Sequence, residues 1–256
     1  MTQEALFDRD GDAFVPHAFA RGYWTPDSMD GRACVALLGH EIERRHGGDG
    51  LVPTRLSVDM HRLARMQPCT VETRVIRDGG RLRLVEARLM IGGNEYARAV
   101  CQLLRPAPVP PGQVWPGHEP WDAPHPDQVA SVPDPQRMWR AELRPIAGTI
   151  GTYGPRRVWL RSWYAIVGGE PLTPFTRVAY ASDFASPWTH WSDAGIHYIN
   201  TDVIAQLHRL PAGEWIGLEA ILHDASQGIA LGHCRIYDET GPIGSVSTTA
   251  LANSRA

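Results

Sequence analysis

The stretch INTDVIAQLHRLPAGEWIGLEA, residues 199–220, says more about the fold than any other part of the chain. A weaker copy, SVDMHRLARMQP, occupies residues 57–68 and aligns without gaps, with Asp59 against Asp202 and Pro68 against Pro211. Each copy follows a segment that can form a helix and precedes alternating apolar runs separated by glycine-containing turns. The same order in both halves predicts a duplicated domain. An Asp repeated in both copies indicates a structural role rather than a catalytic one.

Prolines mark the boundary between the halves. Ten of the 21 prolines fall between Pro106 and Pro135. Proline fixes φ and lacks a backbone donor, so this stretch can be neither a helix nor an inner strand. We predict an N-terminal unit of residues 1–105, a Pro-rich connector of residues 106–137 and a C-terminal unit of residues 138–256. Trp115 and Trp121 indicate that the connector packs along a domain face.

The first half reads as one helix followed by a meander. Val35, Leu38 and Ile42 form an apolar stripe at helical spacing, with a cap at residues 27–28 and a glycine stop at residues 47–48. The alternating runs that follow are separated by turns about every ten residues, a spacing typical of antiparallel strands.

The second half repeats this order. A short apolar run at residues 175–182 leads to Ser182 and Asp183, where we predict that a helix begins, with Pro187 near its first turn. Strand-like runs continue to residue 251. One helix and several antiparallel strands, found twice, are an α+β pattern.

Composition excludes several classes of protein. The chain has 256 residues, 43% of them apolar, and its 25 basic residues are scattered among 28 acidic ones for a net charge of −3, so nucleic acid is not an expected partner. No apolar run is long enough for a membrane span, and the N-terminus lacks the apolar stretch of a signal peptide. Four scattered cysteines without C-x-x-C spacing indicate buried thiols in a reducing compartment. We expect a soluble cytoplasmic protein.

Several short motifs resemble a known family. They are Asn200-Thr-Asp, Leu207-His-Arg, Pro211-Ala-Gly-Glu-Trp and Gly241-Pro-Ile-Gly in the second half, with Gly22-Tyr-Trp, Pro53-Thr-Arg-Leu-Ser-Val-Asp and Ala97-Arg-Ala in the first. With these motifs, residues 15–105 and 140–253 resemble the thioesterase-like superfamily, which is common in actinobacteria and related to acyl-CoA thioesterase II. The resemblance implies a double hotdog, in which each of two units has a long helix wrapped by a curved antiparallel sheet.

The resemblance also implies a reaction and a site. The expected activity is that of a thioester hydrolase, an acyl-CoA thioesterase that cleaves a fatty or related acyl thioester by direct attack of water. Its substrate would be acyl-CoA or another acyl thioester, with no cofactor and no metal. The family pattern matches Asp183, at the expected helix start, and Asn200, on the strand after the helix. The family has Gln on the last strand, where this chain has Thr248, whose side chain is shorter and cannot donate as an amide does.

Hydrolysis without a covalent intermediate needs an activated water, a polarised carbonyl and a dry acyl slot. Asp183 would hold or deprotonate the water, with Asn200 and Thr248 as polar helpers and the N–H groups of the helix start as the oxyanion site. Each residue also has a structural interpretation. Asp183 could cap a helix, Asn200 could pin a strand edge and Thr248 could pack within a strand.

Two further residues have weaker functional interpretations. Arg209 could contact coenzyme A phosphates, although a solvated strand face is favoured for it. Glu41 could serve a second site as an acid, and a charged helix face explains it equally well.

Alternatives to the hydrolase remain open. The missing Gln favours a non-catalytic acyl-thioester binding protein. A hotdog enoyl-thioester hydratase would pair an Asp with a His, and His190 is the nearest His after Asp183. A purely structural interaction module is the third alternative. No G-x-S-x-G elbow, Walker loop, dinucleotide motif or H-E-x-x-H zinc motif is present. Although one chain already holds two units, it can still form a homo-oligomer.

Overall fold

The computed structural model describes residues 4–115, 121–134 and 136–253. The helices within these residues are α1 (Gly31–His46), α2 (Pro174–Asp183) and α3 (Ala185–His190). The strands of the first half are β1 (Ala5–Asp10), β2 (Ala13–Pro16), β3 (Val52–Met60), β4 (Cys69–Asp78), β5 (Leu82–Ile91) and β6 (Asn94–Leu104). Those of the second half are β7 (Ala141–Ala147), β8 (Arg157–Ser162), β9 (Ala165–Val167), β10 (Trp191–Ser192), β11 (Gly195–Ile196), β12 (Tyr198–Asn200), β13 (Asp202–Leu207), β14 (Ile216–Ser226), β15 (Ile229–Asp238) and β16 (Gly241–Ala252).

One large sheet dominates the described chain. Its strand order is β7-β8-β14-β15-β16-β13-β3-β6-β5-β4-β2-β1-β9, with β12 also paired to β16, while β10 and β11 form a separate hairpin. The pairings are antiparallel except that between β1 and β9. Helix α1 packs on β4, β5 and β6, and α3 packs on β14, β15 and β16. Few helices on a large antiparallel sheet confirm the α+β class predicted from the sequence.

The two copies of the sequence motif meet at the centre of this sheet. Strands β3 and β13 pair antiparallel, and Asp59 lies directly opposite Asp202, the residue with which it aligns. The Asp202 carboxylate accepts a hydrogen bond from the backbone N–H of Thr249 at 2.8 Å. Asp202 therefore satisfies a backbone group, the kind of role that its repetition indicates, whereas Asp59 is exposed.

Helix α1 begins slightly later than its sequence predicts. The N-cap is Asp30, whose Oδ1 accepts the backbone N–H of Arg32 at 2.9 Å, and not residues 27–28. The predicted apolar stripe is correct, because Val35, Leu38 and Ile42 are all fully buried.

The prediction made for Ser182 and Asp183 is right in part: a short helix, α3, begins at Ala185 with Pro187 in its first turn, but Ser182 and Asp183 are the last residues of the preceding helix, α2. Helix α2 begins at Pro174 and ends at Asp183. Thr173 caps it in a capping box, in which its hydroxyl accepts the N–H of Thr176 and the Thr176 hydroxyl accepts the N–H of Thr173. The apolar run at 175–182 is therefore helical, since a short run of this kind does not distinguish a strand from a buried helix.

Helices α1 and α2 pack closely and run antiparallel. A Cβ added to Gly39 would lie 2.9 Å from the Cβ of Ala179, so only glycine permits the approach there. Further along the same interface, Gly31 at the start of α1 lies against Asp183 at the end of α2. This crossing brings the last residue of one helix to the first turn of the other.

The Pro-rich connector packs on the second half through one of its tryptophans. Trp121 stacks on Tyr237 with ring centroids 3.7 Å apart and meets Trp159 edge-on at 5.6 Å. The Pro124 carbonyl accepts the indole N–H of Trp159 at 2.9 Å. Trp115, in contrast, is 85% exposed, so the aromatic content of the connector did not predict burial at that position.

Candidate functional site

Asp183 and Asn200 form the polar centre of the candidate site. Asn200, at the end of β12, donates its side-chain amide Nδ2 to Asp183 Oδ1 at 2.9 Å. The same Nδ2 lies 3.4 Å from the backbone carbonyl of Asp202. These contacts orient the amide so that it donates to the carboxylate. Asp183 is buried, and α3, the helix that follows it, has Phe184 as its N-cap and no side-chain cap bond, so the capping interpretation fails for Asp183.

The first turn of α1 lies beside the same carboxylate. A Cβ built on Gly31 would lie 2.6 Å from Asp183 Oδ2, so the carboxylate occupies the space that a side chain would need. The N–H groups of Arg32, Ala33 and Cys34 are all taken by the cap residue Asp30. Within the described residues no acceptor is found for the N–H of Gly31. The helix start at the site is thus that of α1 and not that of the helix carrying Asp183.

Burial sets the electrostatics of Asp183. Desolvation, reinforced by the charge of Asp30, raises the pKa of Asp183 to about 6, against the opposing effects of the Asn200 hydrogen bond and the Arg32 charge. The carboxylate can therefore both release and accept a proton near neutral pH, the property that a general base requires.

The positive charge of Arg32 neutralises the negative charge of Asp30 at the edge of the site. Its guanidinium bonds both oxygens of Asp30, with Nε 2.9 Å from Oδ1 and Nη2 2.7 Å from Oδ2, and its Nη1 donates to the Trp139 carbonyl. This pairing holds the pKa of Asp30 below its usual value in spite of burial. The guanidinium also lies over the rings of Tyr180 and Phe184.

A cavity of about 430 Å³ opens at this centre. Asp183, Asn200 and Gly31 lie on its wall, together with residues from both halves of the chain. Aromatic rings from separate segments also line it, namely Tyr23, Trp24, Trp139 and Trp191. Their ring centroids lie 5.7 to 5.9 Å apart in successive contacts. An apolar cavity with a few convergent polar groups is the usual form of a small-molecule site.

The structure does not bring Thr248 to the other two predicted site residues. Thr248 is fully buried and does not line the cavity. Its hydroxyl instead lies 3.2 Å from Nε2 of His190, whose Nδ1 lies 2.9 Å from Nδ1 of His223. Side chains alternate along β16, and it is Leu251, three residues further along the strand, that reaches the cavity. Alignment to the last strand of a family pattern could not resolve which face position 248 occupies.

Arg209 and Glu41 both have structural partners; Arg209 is partly exposed, whereas Glu41 does not lie on a solvated face. Arg209 forms a bidentate ion pair with Asp238, and Asp238 is fully buried. Glu41 is also fully buried and accepts hydrogen bonds from Arg9, Arg44 and Arg45, which hold its pKa at about 2. A permanently ionised, triply paired carboxylate is a structural group and not a general acid.

The described ranges hold neither a metal-binding cluster nor a membrane-spanning helix. They contain no cluster of three His, Cys, Asp or Glu side chains placed to hold a metal ion. None of their helices has the length and apolarity needed to span a membrane.

Sequence reasoning missed three contributors to the site. Gly31 left no signal apart from a glycine after a good N-cap, and Arg32 seemed an ordinary helix residue. The segment containing Trp139 and Arg140 lies just beyond the proline cluster, where the sequence shows no periodicity. All three reach the site through tertiary packing.

Comparison with known proteins places the chain in a family. Residues 111–252, more than half of the chain, match the family model of the acyl-CoA thioesterase C-terminal domain. No curated protein sequence matches the chain significantly.

Solved structures resemble the chain over nearly its whole length. A protein assigned as a thioesterase from Novosphingobium aromaticivorans superposes with a TM-score of 0.74 at 18% identity, over 97% of this chain and 98% of that one. The tesB protein of Mycobacterium avium subspecies paratuberculosis gives 0.71 at 16% identity, over 97% and 96% of the two chains. A hot dog fold protein of unknown function from Alicyclobacillus acidocaldarius gives 0.73 at 16% identity, over 98% and 96%. This likeness establishes the hotdog fold, and with the family match it shows that the chain belongs to the acyl-CoA thioesterase family.

Proposed function

We propose that this protein hydrolyses an acyl-CoA thioester, with Asp183 as the base that activates water and Asn200 as the residue that orients the carboxylate. The observation that carries the proposal is the 2.9 Å bond from Asn200 Nδ2 to Asp183 Oδ1 on the wall of the cavity. The bond engages one carboxylate oxygen and leaves Oδ2 for a water.

The proposed reaction needs no covalent enzyme intermediate. Asp183 accepts a proton from a water as the water oxygen attacks the thioester carbonyl carbon. The carbonyl oxygen then carries negative charge, and the N–H of Gly31 at the start of α1, which Asp30 does not occupy, donates to it. Collapse of the tetrahedral intermediate breaks the C–S bond and releases a carboxylic acid and a thiol, the proton on Asp183 returning to the leaving sulfur.

We further propose that the fold comprises two hotdog units, residues 1–105 and 138–256, joined by the connector at 106–137. The pairing of Asp59 with Asp202 across β3 and β13 supports this proposal, because two aligned residues that face each other are what an approximate two-fold axis between repeats produces. The cavity would then lie between the units, and its lining from both halves agrees with that position.

The alternatives differ in what the site must contain. A hydratase would need a His beside Asp183, whereas His190 contacts Thr248 and His223 instead. A non-catalytic binding protein would need only the cavity, and it is the principal rival to the hydrolase.

The test is release of free thiol from acyl-CoA substrates of graded chain length, by wild-type protein and by Asp183→Asn. We expect wild-type turnover and a loss of at least about a hundredfold in kcat for the variant, as for removal of a general base. The Asn side chain can still accept the bond from Asn200, so the fold is retained. If the wild-type protein binds acyl-CoA without turning over any chain length, the hydrolase proposal is wrong and the binding protein is correct.

A further inference from the structure

The arginines on the cavity wall differ sharply in how they are paired. Arg21, Arg32, Arg62 and Arg140 all line the cavity. Among the described residues, Arg32 forms an ion pair, with Asp30, and no carboxylate pairs with the other three. Most other arginines of the described chain, such as Arg209 with Asp238, have carboxylate partners. Three of the four cavity arginines therefore have no carboxylate partner, whereas most arginines elsewhere in the described chain have one.

Arg140 stands out because its backbone is held in an unfavourable conformation. Its φ is 56°, in the left-handed region that few residues other than glycine adopt. Its carbonyl accepts the hydroxyl of Tyr180 at 2.7 Å, and its N–H donates to the Arg137 carbonyl at 3.1 Å. A strained backbone of this kind persists only where several surrounding contacts hold it in place, and such residues are concentrated at functional sites.

The turn that carries Arg140 is anchored by one carboxylate. Asp134 accepts the backbone N–H groups of Met138 and Trp139, each at 2.8 Å. The Trp139 carbonyl is in turn held by the guanidinium of Arg32. The turn thus presents Met138, Trp139 and Arg140 to the cavity as a fixed wall.

The side chain of Arg140 is only partly satisfied by the protein. Its Nη1 donates to the Arg137 carbonyl at 3.0 Å. Its Nε is buried and has no hydrogen-bond partner among the described residues. The Nε atoms of Arg55, Arg156 and Arg157 are unpartnered in the same way, so it is the position of Arg140 on the cavity wall, and not this atom, that points to a ligand.

The charge at the cavity favours an anion as this ligand. The pair of Asp30 and Arg32 is neutral, which leaves Asp183 as the acidic group at the polar centre. The three arginines without ion pairs, Arg21, Arg62 and Arg140, add positive charge to the same cavity wall.

We propose that Arg140 is a specificity-determining residue that binds an anionic group of the substrate through its guanidinium. The proposal rests on the hydrolysis proposed above. The group is a carboxylate or a phosphate, both of which match the planar fork of arginine. Its source is either the distal carboxylate of a dicarboxylic acyl group or a phosphate of coenzyme A.

The test compares three thioesters on wild-type protein and Arg140→Gln. Glutaryl-CoA and pentanoyl-CoA have acyl chains of equal length and differ in the distal carboxylate, and pentanoyl-N-acetylcysteamine lacks phosphate altogether. Arg65→Gln is the matched control, since Arg65 is exposed and does not line the cavity. KM and kcat are measured separately for each pair.

A rise in KM of about tenfold or more for Arg140→Gln, confined to glutaryl-CoA, supports the proposal and assigns the anion to the acyl group. A similar rise for both CoA esters but not for the N-acetylcysteamine ester supports it and assigns the anion to phosphate. Equal KM values for wild type and variant on all three substrates, or an equal rise on all three, overturn it.

Two further measurements separate failure of this proposal from failure of the proposed function. Binding of glutaryl-CoA and coenzyme A is followed by quenching of tryptophan fluorescence, since Trp24, Trp139 and Trp191 line the cavity. This readout requires no turnover, so a protein that hydrolyses nothing can still show weaker binding in Arg140→Gln. Arg140→Gly is the second variant, because glycine adopts a positive φ freely and retains the fold if Gln does not. Unchanged affinity for both ligands in Arg140→Gly overturns the proposal.

Discussion

Asp183 Oδ2 occupies the space in which Gly31 would carry a side chain: a Cβ at position 31 would lie 2.6 Å from that oxygen. Asp183, the last residue of α2, and Gly31, the first residue of α1, are therefore matched in shape. Position 31 is a glycine because the Asp183 carboxylate leaves no room for a side chain.

Gly31→Ala should displace the carboxylate and so reduce activity. We expect kcat to fall by about tenfold or more, since a misplacement of about 1 Å in a catalytic group has large effects on rate. The measurement is thiol release under saturating substrate. Gly80→Ala is the matched control, because a Cβ at Gly80 meets no atom within 4 Å. Equal losses in both variants would show that the contact at position 31 is not the cause.

The rate should depend on the ionisation of Asp183. A base must be deprotonated, so with a pKa of about 6 we expect kcat/KM to be low in acid, to rise through pH 6 and to level off above pH 7. Asn200→Ala removes a hydrogen bond that favours the charged form, so the midpoint should move to higher pH. A pH profile recorded for both proteins checks this, and a midpoint that stays in place would exclude Asn200 as a contributor to the pKa of Asp183.

Asp183→Asn should stabilise the protein above pH 6. The pKa of Asp183 rises from 3.8 to about 6 on folding, so its contribution to stability is present below pH 3.8 and is lost as pH rises through 6. At pH 8 the ionised carboxylate costs roughly 3 kcal/mol of unfolding free energy, an order-of-magnitude figure from the size of the shift. Thermal unfolding at pH 8 should show a higher Tm for the variant, and the difference should shrink at pH 5. A variant that is equally or less stable at pH 8 contradicts the desolvation of this group.

Arg209→Gln should reduce stability and leave substrate affinity unchanged. The substitution leaves Asp238 buried and short of its charged partner, which costs about 3 kcal/mol of unfolding free energy. Since Arg209 does not line the cavity, KM for acyl-CoA should equal that of wild type. Urea unfolding and steady-state kinetics on the same preparation measure both effects. A raised KM with unaltered unfolding would restore the phosphate-binding interpretation of Arg209.

Thr248→Val should have little effect on turnover. Valine preserves the shape and burial of the side chain and removes only the hydroxyl next to His190. We expect kcat within about twofold of wild type and a loss of about 1 kcal/mol of unfolding free energy, typical of one hydrogen bond. A large fall in kcat at unchanged stability would instead place Thr248 in the reaction.

The sequence predicted those features that depend on local pattern. The stripe of Val35, Leu38 and Ile42 and the turn-separated runs after it identified the first helix and its strands, because periodicity reports directly on burial. The prediction from sequence failed at α2. Thr173 and Pro174 form a good helix start, but the apolar run that follows is too short for its periodicity to identify a helix.

Site prediction failed where it required knowledge of tertiary geometry. Asp183 and Asn200 were found from a family pattern and the structure brings them together, while Thr248 has a compatible residue type but faces the other side of its strand. Nothing local in the sequence indicates that Gly31 meets Asp183 or that Arg140 has a left-handed backbone.

The ladder between β3 and β13 has a consequence for how a substrate gains access. Five consecutive residues of β13 face β3, so the halves of the sheet cannot part at this junction without breaking backbone hydrogen bonds. The segment around Tyr23, by contrast, lies outside helices and strands and is not part of this ladder. We therefore expect admission of substrate and release of product to be timed by loop motion on the nanosecond to microsecond scale and not by hinge bending of the sheet.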